Sequence, residues 1–323
     1  MSPGRDDHLQ LVRQYTKAHR DRQAQSGNIS LLKWTAQNRI YLVPDRLFDL
    51  ETHPFLVGLY DDPHPDIVVF KSGQMGASEY LISDALHAAD QRKATTLYVF
   101  PTSTHVSDFS TGRIGPAIEA SPYLQTIVSE TKTDDGKKRR GSDRVTLKRV
   151  GNRFLYLRGA AVRPDGSAPQ LKSVDADVLF LDEVDEMPPR AIALAEERLG
   201  HSRIAEKRAV STPTYAGMGI HAMWMASDQR VWMLRCWRCN HQQELTIDHV
   251  VTAWDELKRP VDWHGAPDKA WCACEQCGGR LNHRAPGEWV PKYPGREKHG
   301  YHLTRLFSHH YPLLRLVLGL QTV

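Results

Sequence analysis

A glycine-containing turn between a predicted strand and a predicted helix is the first place in this sequence where residue types and spacing suggest chemistry. In such a turn, backbone amides and the helix dipole point at one spot and favour a bound phosphate group. The common form of this loop has lysine directly before its last serine or threonine, where this chain has Ala77 before Ser78. Lys71, at the start of the loop, is long enough to fold back over the phosphates and supply the missing ammonium. The loop residues are Lys71, Ser72, Gly73, Gln74, Met75, Gly76, Ala77 and Ser78.

The loop alone also fits an ordinary strand-to-helix turn with a solvated lysine. A second apolar strand, Val178–Leu181, ends on Asp182 and Glu183 downstream of it. A nucleotide site needs a magnesium ligand and a water-polarising base at such a strand end. The two motifs together predict ATP hydrolysis, in which Ser78 and Asp182 hold Mg²⁺ and Glu183 activates the attacking water.

A third predicted strand, Arg208–Ser211, ends on hydroxyl groups. Hydroxyls at a strand end most often only cap a turn. Beside a nucleotide site, however, Ser211, Thr212 and Thr214 become candidate sensors of the γ-phosphate, which is the group that hydrolysis removes.

All five cysteines lie between Cys236 and Cys277, which argues for one local metal site and against a secreted disulfide scaffold. Cys236 and Cys239 form one Cys-X-X-Cys motif, and Cys274 and Cys277 form a second. Two such pairs predict a tetrahedral Zn²⁺ with a closed, structural coordination shell. Reduced cysteines in a loop without metal are the alternative, and Cys272 is left as a free thiol or an alternative ligand.

The elements that must position these residues alternate along the chain. Apolar or β-branched runs separated by helix-like patterns predict an α/β fold, a doubly wound and mainly parallel sheet of the P-loop NTPase type. A Gly-Asn turn predicts an inserted hairpin of residues 145–149 and 153–157. The predicted strands are Ile67–Phe70, Thr95–Phe100, Val178–Leu181 and Arg208–Ser211, and the predicted helices are Ala77–Ala89 and His105–Ala120.

Composition shifts along the chain predict four segments. Residues 1–50 form a polar or helical extension, 51–231 a P-loop ATPase domain, 232–300 a small zinc-ribbon-like module, and 301–323 an altered tail. The module is expected beyond Trp232 because paired cysteines, prolines and tryptophans replace the alternation there.

The bulk composition is that of a globular protein, with 41% hydrophobic and 25% charged residues. The net charge of +4 permits an anionic partner without requiring one. A basic stretch between Lys132 and Arg153 is interpreted as either a solvated loop or a phosphate-contacting loop. Because no apolar run approaches the roughly 20 residues of a membrane helix and no signal peptide is evident, we expect a cytoplasmic protein with no membrane partner.

The phosphate loop, the Asp-Glu strand, the Ser211–Thr214 segment and the cysteine pairs, in this order, resemble the large terminase subunits of lambda-type phages, the GpA-like family. The resemblance extends from about Pro54 to about Ser308 and includes Gly300-Tyr-His-Leu303. It implies an ATPase domain followed by a nuclease domain, in a protein that packages DNA into preformed capsids. It also implies that the lysine role falls on Lys71, and that Phe55 stacks on the adenine of ATP.

The partners that the resemblance implies are double-stranded DNA, a small terminase subunit and the portal of the procapsid. It also implies a homo-oligomer when active, in the cytoplasm of the bacterial host. The tail departs from the family pattern, since no acidic residue follows Glu297. We therefore expect no nuclease activity from this chain, as from an interrupted prophage gene. A helicase-like ATPase and an inactive prophage remnant that binds zinc and nucleic acid remain the alternatives.

Overall fold

A large central sheet organises the computed structural model, which describes residues 29–39, 41–43, 46–47, 49–129, 143–251 and 270–316. Seven neighbouring strands of the sheet are parallel, in the spatial order β10-β16-β3-β9-β8-β4-β7, and antiparallel strands extend both edges. The strands of this sheet are β3 (Asp66–Lys71), β4 (Thr96–Phe100), β5 (Val128–Ser129), β6 (Leu147–Val150), β7 (Arg153–Gly159), β8 (Val178–Asp182), β9 (Glu206–Ser211), β10 (Arg230–Arg235), β11 (Gln242–Glu244), β15 (Glu288–Pro291) and β16 (His299–Leu303).

The remaining described strands form two smaller sheets. One pairs β1 (Tyr41–Val43) with β2 (Arg46–Leu47), and the other joins β12 (Val250–Val251), β13 (Trp271–Ala273) and β14 (Arg280–Leu281). The predicted N-terminal extension up to residue 28 and the basic residues 130–142 lie outside the described residues.

Helices cover both faces of the sheet. They are α1 (Leu31–Asn38), α2 (Pro54–Tyr60), α3 (Ala77–Asp90), α4 (Ser103–Phe109), α5 (Gly115–Glu119), α6 (Pro122–Ile127), α7 (Asp143–Thr146), α8 (Pro169–Lys172), α9 (Pro189–Glu196) and α10 (Gly219–Met225). A π-helical segment, Ser110–Ile114, joins α4 to α5, so the single helix predicted for 105–120 is interrupted. Among the described residues, no helix is long and apolar enough to cross a membrane.

Side-chain alternation on the central strands builds two cores. In β4, Leu97 and Val99 pack in the core beneath α8, α9 and α10, whereas Tyr98 and Phe100 pack in the core beneath α1, α2 and α3. This is the expected result of a period of two in a strand that is buried on both faces. The prediction of an α/β fold with a mainly parallel sheet is therefore confirmed.

Helix α3 follows the candidate phosphate loop and is almost wholly buried. It lies between the sheet and α1, and its buried polar residues therefore need partners inside the protein. A buried ion pair fixes it to β9, because the Arg208 Nε donates to Asp84 Oδ2 at 2.8 Å. The start of α3 is thus held in a defined place relative to the strand ends.

Two expectations about boundaries need revision. β6 and β7 do form an antiparallel hairpin, but β7 also pairs in parallel with β4, so it is a strand of the central sheet and not part of an insertion. The segment boundary expected at residue 300 falls inside β16, which pairs in parallel with β3 along its whole length. The residues 299–303 are therefore neighbours of the strand that carries the phosphate loop.

Candidate nucleotide and metal sites

The candidate phosphate loop connects the end of β3 to the start of α3. Gln74 (φ 62°) and Gly76 (φ 79°) adopt left-handed conformations that turn the chain into the helix. At Gly76 a Cβ atom would lie 2.8 Å from Leu56 Cδ1, so glycine is required there for both backbone conformation and space. The structure thus forms the strand-turn-helix arrangement that the loop sequence predicts, with Ser78 in the first turn of α3.

Lys71 occupies the centre of the candidate site. It is only 6% exposed, and its Nζ donates to Glu183 Oε1 at 2.7 Å and to Thr212 Oγ1 at 3.2 Å. These contacts join the ends of β3, β8 and β9, which come together because carboxyl ends of parallel strands meet at one edge of a sheet. The structure therefore brings together three residues that sequence reasoning placed at a nucleotide site.

Glu183 has a backbone conformation that is uncommon for its residue type. Its φ of 58° lies in the left-handed region, which costs about 1–3 kcal/mol for a residue other than glycine. The Oε2 atom accepts from the Thr212 amide at 3.1 Å and from Ser211 Oγ at 3.3 Å. Because these donors hold the carboxylate in one orientation while 35% of the side chain stays exposed, Glu183 is both positioned and accessible.

Asp182 is buried beneath Glu183. Tyr98 Oη donates to Asp182 Oδ2 at 2.9 Å, whereas Oδ1 has no hydrogen-bond partner among the described residues. Burial raises the pKa of Asp182 to about 6, and the neighbouring Glu183 carboxylate adds to this effect. A buried carboxylate with an unsatisfied oxygen fits a divalent cation, which would supply the missing positive charge.

The hydroxyl segment after β9 is tied to the acidic end of β8. Besides the contacts with Glu183, Ser211 Oγ accepts from the Asp185 amide at 3.2 Å, and Asp185 Oδ2 accepts from the Thr214 amide at 2.7 Å. Asp185 Oδ1 also accepts from the Ile220 amide at 2.7 Å, in the first turn of α10. Asp185 therefore links the hydroxyl segment after β9 to helix α10.

Phe55 lies in the core of the protein. Its ring is 1% exposed and packs on Phe307 with 5.4 Å between ring centroids. The Phe55 carbonyl accepts from Trp289 Nε1 at 2.7 Å. Because the ring is almost completely buried, it has no open face for stacking on adenine. The structure therefore does not support the predicted adenine contact, and Phe55 is a residue of the core.

Two arginines beside the loop were missed by sequence reasoning. Arg305 follows β16, and its Nη2 lies 3.5 Å from the point where Gly73 would carry a Cβ atom. Arg113, in the π-helical segment, donates to Glu79 Oε1 at 2.8 Å, and Glu79 follows Ser78 directly. An arginine just after a strand that neighbours β3 would be a candidate phosphate ligand. The sequence does not show that β16 is this neighbouring strand, so Arg305 could be recognised only from the sheet order.

The cysteine pairs occupy the turns of two antiparallel hairpins. Cys236 and Cys239 lie between β10 and β11, and Cys274 and Cys277 lie between β13 and β14. In the first turn the Asn240 amide donates to the Cys236 carbonyl at 2.9 Å, and in the second the Gly278 amide donates to the Cys274 carbonyl at the same distance. The two turns therefore have the same local geometry.

The four cysteine sulfurs converge on one point. All lie within 4.8 Å of one another, with 3.8 Å between Cys236 and Cys277 and 3.6 Å between Cys239 and Cys274. Zinc–sulfur bonds of about 2.3 Å in a tetrahedron place the sulfurs about 3.8 Å apart, so the donor set fits Zn²⁺. Cys272 lies outside this cluster, and burial raises the pKa of its thiol to about 12.

Comparisons with known proteins identify a matching family and similar solved structures. A family model described as phage terminase large subunit gpA, ATPase domain, matches residues 48–290. Among solved structures, the large terminase ATPase domain of Thermus phage P74-26 has 12% identity, covers 81% of this chain and 82% of that chain, and has a TM-score of 0.44. The large terminase of bacteriophage HK97 has 14% identity, covers 61% and 40%, and has a TM-score of 0.45. No curated protein sequence matches.

Proposed function

The chain belongs to the family of phage terminase large subunit ATPase domains, and from that premise we propose that it couples ATP hydrolysis to movement of double-stranded DNA into a procapsid. Membership of this family implies ATP hydrolysis in general and a role in phage DNA packaging. The proposal adds the residues that do the work and the coupling of hydrolysis to translocation. Its main support is the contact of Lys71 with Glu183 and Thr212 at the meeting point of three strand ends.

Lys71 is proposed to bind the phosphates of ATP in place of the invariant lysine of the common loop. The backbone amides from Gly73 to Ser78 would face the phosphates, and the Lys71 ammonium offsets the charge that builds on the transferring phosphoryl group. Asp182 and Ser78 are the residues that would hold Mg²⁺, whose chemistry there is to neutralise further phosphate charge. When phosphate engages the Lys71 ammonium, Glu183 loses its ion-pair partner.

Glu183 is proposed to orient the attacking water and accept its proton. The Thr212 amide and Ser211 hydroxyl already hold its carboxylate, so the base remains in place when Lys71 turns to phosphate. Ser211 and Thr212 are also the proposed sensors of the γ-phosphate. When the γ-phosphate is lost, Lys71 loses its phosphate contact and can again donate to Thr212, so Thr212 responds to the state of the nucleotide. Thr214 and Asp185 continue this connection to the start of α10.

The cysteine cluster is proposed to hold one structural Zn²⁺. Four thiolates complete the coordination shell, so the metal has no open position for catalysis. In the working motor we further propose contacts with double-stranded DNA, a small terminase subunit and the portal, and a homo-oligomeric ring in the host cytoplasm.

Glu183→Gln tests the proposed base. The amide keeps the shape of the side chain but cannot accept a proton, so phosphate release should fall at least about 100-fold while ATP binding stays within a few-fold of wild type. Glu186→Gln is the matched control, because Glu186 is exposed and lies one 3₁₀ turn further along. Binding is measured with a fluorescent nucleotide, and turnover is measured as phosphate release with and without duplex DNA.

Each result has a defined meaning. Equal losses of binding and turnover in Glu183→Gln would place Glu183 among the metal ligands and not at the water. No phosphate release from the wild-type chain, with or without DNA, would favour the inactive remnant that binds zinc and nucleic acid.

A further inference from the structure

A cavity of about 630 Å³ lies between the second cysteine hairpin and the segment that follows β16. Its lining includes two arginines, three histidines and a tryptophan, and none of the described residues that line it is acidic. These six are Trp237, Arg280, His283, Arg284, His309 and His310. The cavity is separate from the candidate nucleotide site and contains none of the residues assigned to ATP.

The positive charge of this cavity comes from its two arginines, because the surroundings hold the rings of His283 and His309 in their neutral form. Burial, and then the charges of Arg284, His309 and Arg280, lower the pKa of His283 to about 4. Burial and the charge of Arg284 also lower the pKa of His309, and Asp49 is the acid whose charge reaches that ring. With two guanidinium groups and no acidic residue among the described residues that line it, the cavity has a positive potential, which an anion relieves.

Several polar groups of the cavity lack a partner among the described residues. Arg280 and Arg284 are exposed, and neither pairs with a carboxylate in the part of the chain that the structure describes. The Nε2 atoms of His283 and His309 are buried and have no hydrogen-bond partner among the described residues. Guanidinium groups without a carboxylate partner on a concave surface are what an external ligand with acceptor oxygens requires.

Trp237 supplies a flat apolar face at the edge of the cavity. It is 78% exposed, the largest value among the exposed hydrophobic residues of the described chain, although it lies in the turn between two candidate zinc ligands. Its Nε1 donates to the Arg280 carbonyl at 3.1 Å, which fixes the ring beside the arginines. An exposed aromatic ring next to guanidinium groups is the combination that binds single nucleic-acid strands, through stacked bases and backbone phosphates.

We propose that this cavity binds a strand of DNA, with its phosphates on Arg280 and Arg284 and one base stacked on Trp237. The inference rests on the proposed function, in which the chain works on DNA, and it adds to the proposed duplex contacts a separate site for a single strand. Its test needs no ATP turnover, so the two claims fail separately. An acidic peptide offers carboxylates but no base, and Trp237 would then have no role.

The experiment measures binding of the full chain to a labelled single-stranded oligodeoxynucleotide and to its blunt duplex, by fluorescence anisotropy at several salt concentrations without nucleotide. Arg280→Ala/Arg284→Ala should weaken single-strand binding at least about tenfold at low salt. The slope of log K against log salt should fall by about 1.4, because each phosphate contact to a single strand contributes about 0.7. Arg190→Ala/Arg203→Ala removes the same charge from exposed positions outside the cavity and should leave binding within twofold.

Substitutions at Trp237 test whether a base stacks on this ring or whether the site binds phosphates alone. Trp237→Ala should weaken single-strand binding about tenfold and duplex binding less, whereas Trp237→Phe keeps an aromatic face and most of the affinity. Zinc content is measured for each variant, so that loss of the cysteine cluster is not mistaken for loss of stacking.

Three results would overturn the proposal. The first is wild-type binding and salt dependence in the double arginine variant. The second is a Trp237→Ala variant that retains its zinc and its single-strand affinity. The third is competition by poly-glutamate as effective as that by single-stranded DNA, which would assign the cavity to an acidic protein partner.

Discussion

The candidate nucleotide site and the cysteine cluster are both assembled from distant parts of the chain, but they differ in where backbone strain lies. Each cysteine turn is followed by a left-handed residue, Asn240 (φ 62°) or Gly278 (φ 65°), and both residue types adopt that conformation readily. In the nucleotide site the left-handed residue at the end of β8 is Glu183, for which the conformation is costly.

This difference is what we expect between the proposed structural metal site and the proposed catalytic site. Each cysteine hairpin forms by local rules, and the two hairpins need only to meet for four sulfurs to complete the shell of the proposed zinc ion. The nucleotide site instead holds a strained Glu183, a buried Lys71 and an Asp182 with an unsatisfied oxygen. Such features persist only where the surrounding fold imposes them, and they are typical of functional sites.

The largest effect is expected at Lys71. Lys71→Ala should lower ATP turnover about 1,000-fold, because no other lysine of the loop can neutralise charge on the transferring phosphoryl group. Lys172→Ala, at an exposed position, is the control. Ala77→Lys in the Lys71→Ala background restores the common loop and should recover part of the rate. Wild-type turnover in Lys71→Ala would show that the ammonium at the loop start is not used.

Substitutions in the cysteine cluster should lower the stability of the protein. One zinc per chain is expected by elemental analysis, and Cys236→Ser or Cys274→Ser should abolish it. If the loss is about 3 kcal/mol, Tm falls by about 6–12 °C for a domain of this size. Cys272→Ala should retain its zinc, because that sulfur lies outside the cluster. Zinc-free wild-type protein, purified without chelator, would contradict the assignment.

Ionisation of the buried Asp182 carboxyl group should lower the free energy of unfolding. Its folded-state pKa of about 6 is above the ordinary value of 3.8, so ionisation destabilises the protein fully above about pH 6 and not at all below about pH 4. Without Mg²⁺ and nucleotide, Asp182→Asn should therefore gain up to about 3 kcal/mol relative to wild type at pH 8. The gain should shrink towards pH 5. Urea unfolding at both pH values measures it, and a gain independent of pH would contradict the burial argument.

The smallest effect is expected at Arg305, which is exposed beside Gly73. We predict that it strengthens phosphate binding equally in the ground and transition states. Arg305→Ala should then raise KM for ATP about threefold to tenfold with little change in kcat, as loss of uniform binding does. Arg315→Ala, at another exposed position of the same segment, is the control. A large fall in kcat instead would make Arg305 part of the transition-state machinery.

Local sequence determined much of this molecule. The runs that form β3, β4, β8 and β9 are short, are rich in apolar or β-branched residues and end at polar or turn residues, and this local composition predicts strands. The cysteine set follows from spacing, because each Cys-X-X-Cys turn fixes two sulfurs in one hairpin. The strand-turn-helix at Lys71 is likewise a property of one continuous segment.

Only the tertiary structure decided which distant segments became neighbours. Pairing of β16 with β3, and of β7 with β4, depends on contacts between segments far apart in sequence, and these moved residues 299–303 and 153–159 into the central sheet. Phe55 could have faced a nucleotide or the core, and packing against Phe307 chose the core. Likewise, the Lys71–Glu183 ion pair and the cluster around Trp237 exist because the fold closes long stretches of chain, which no local propensity specifies.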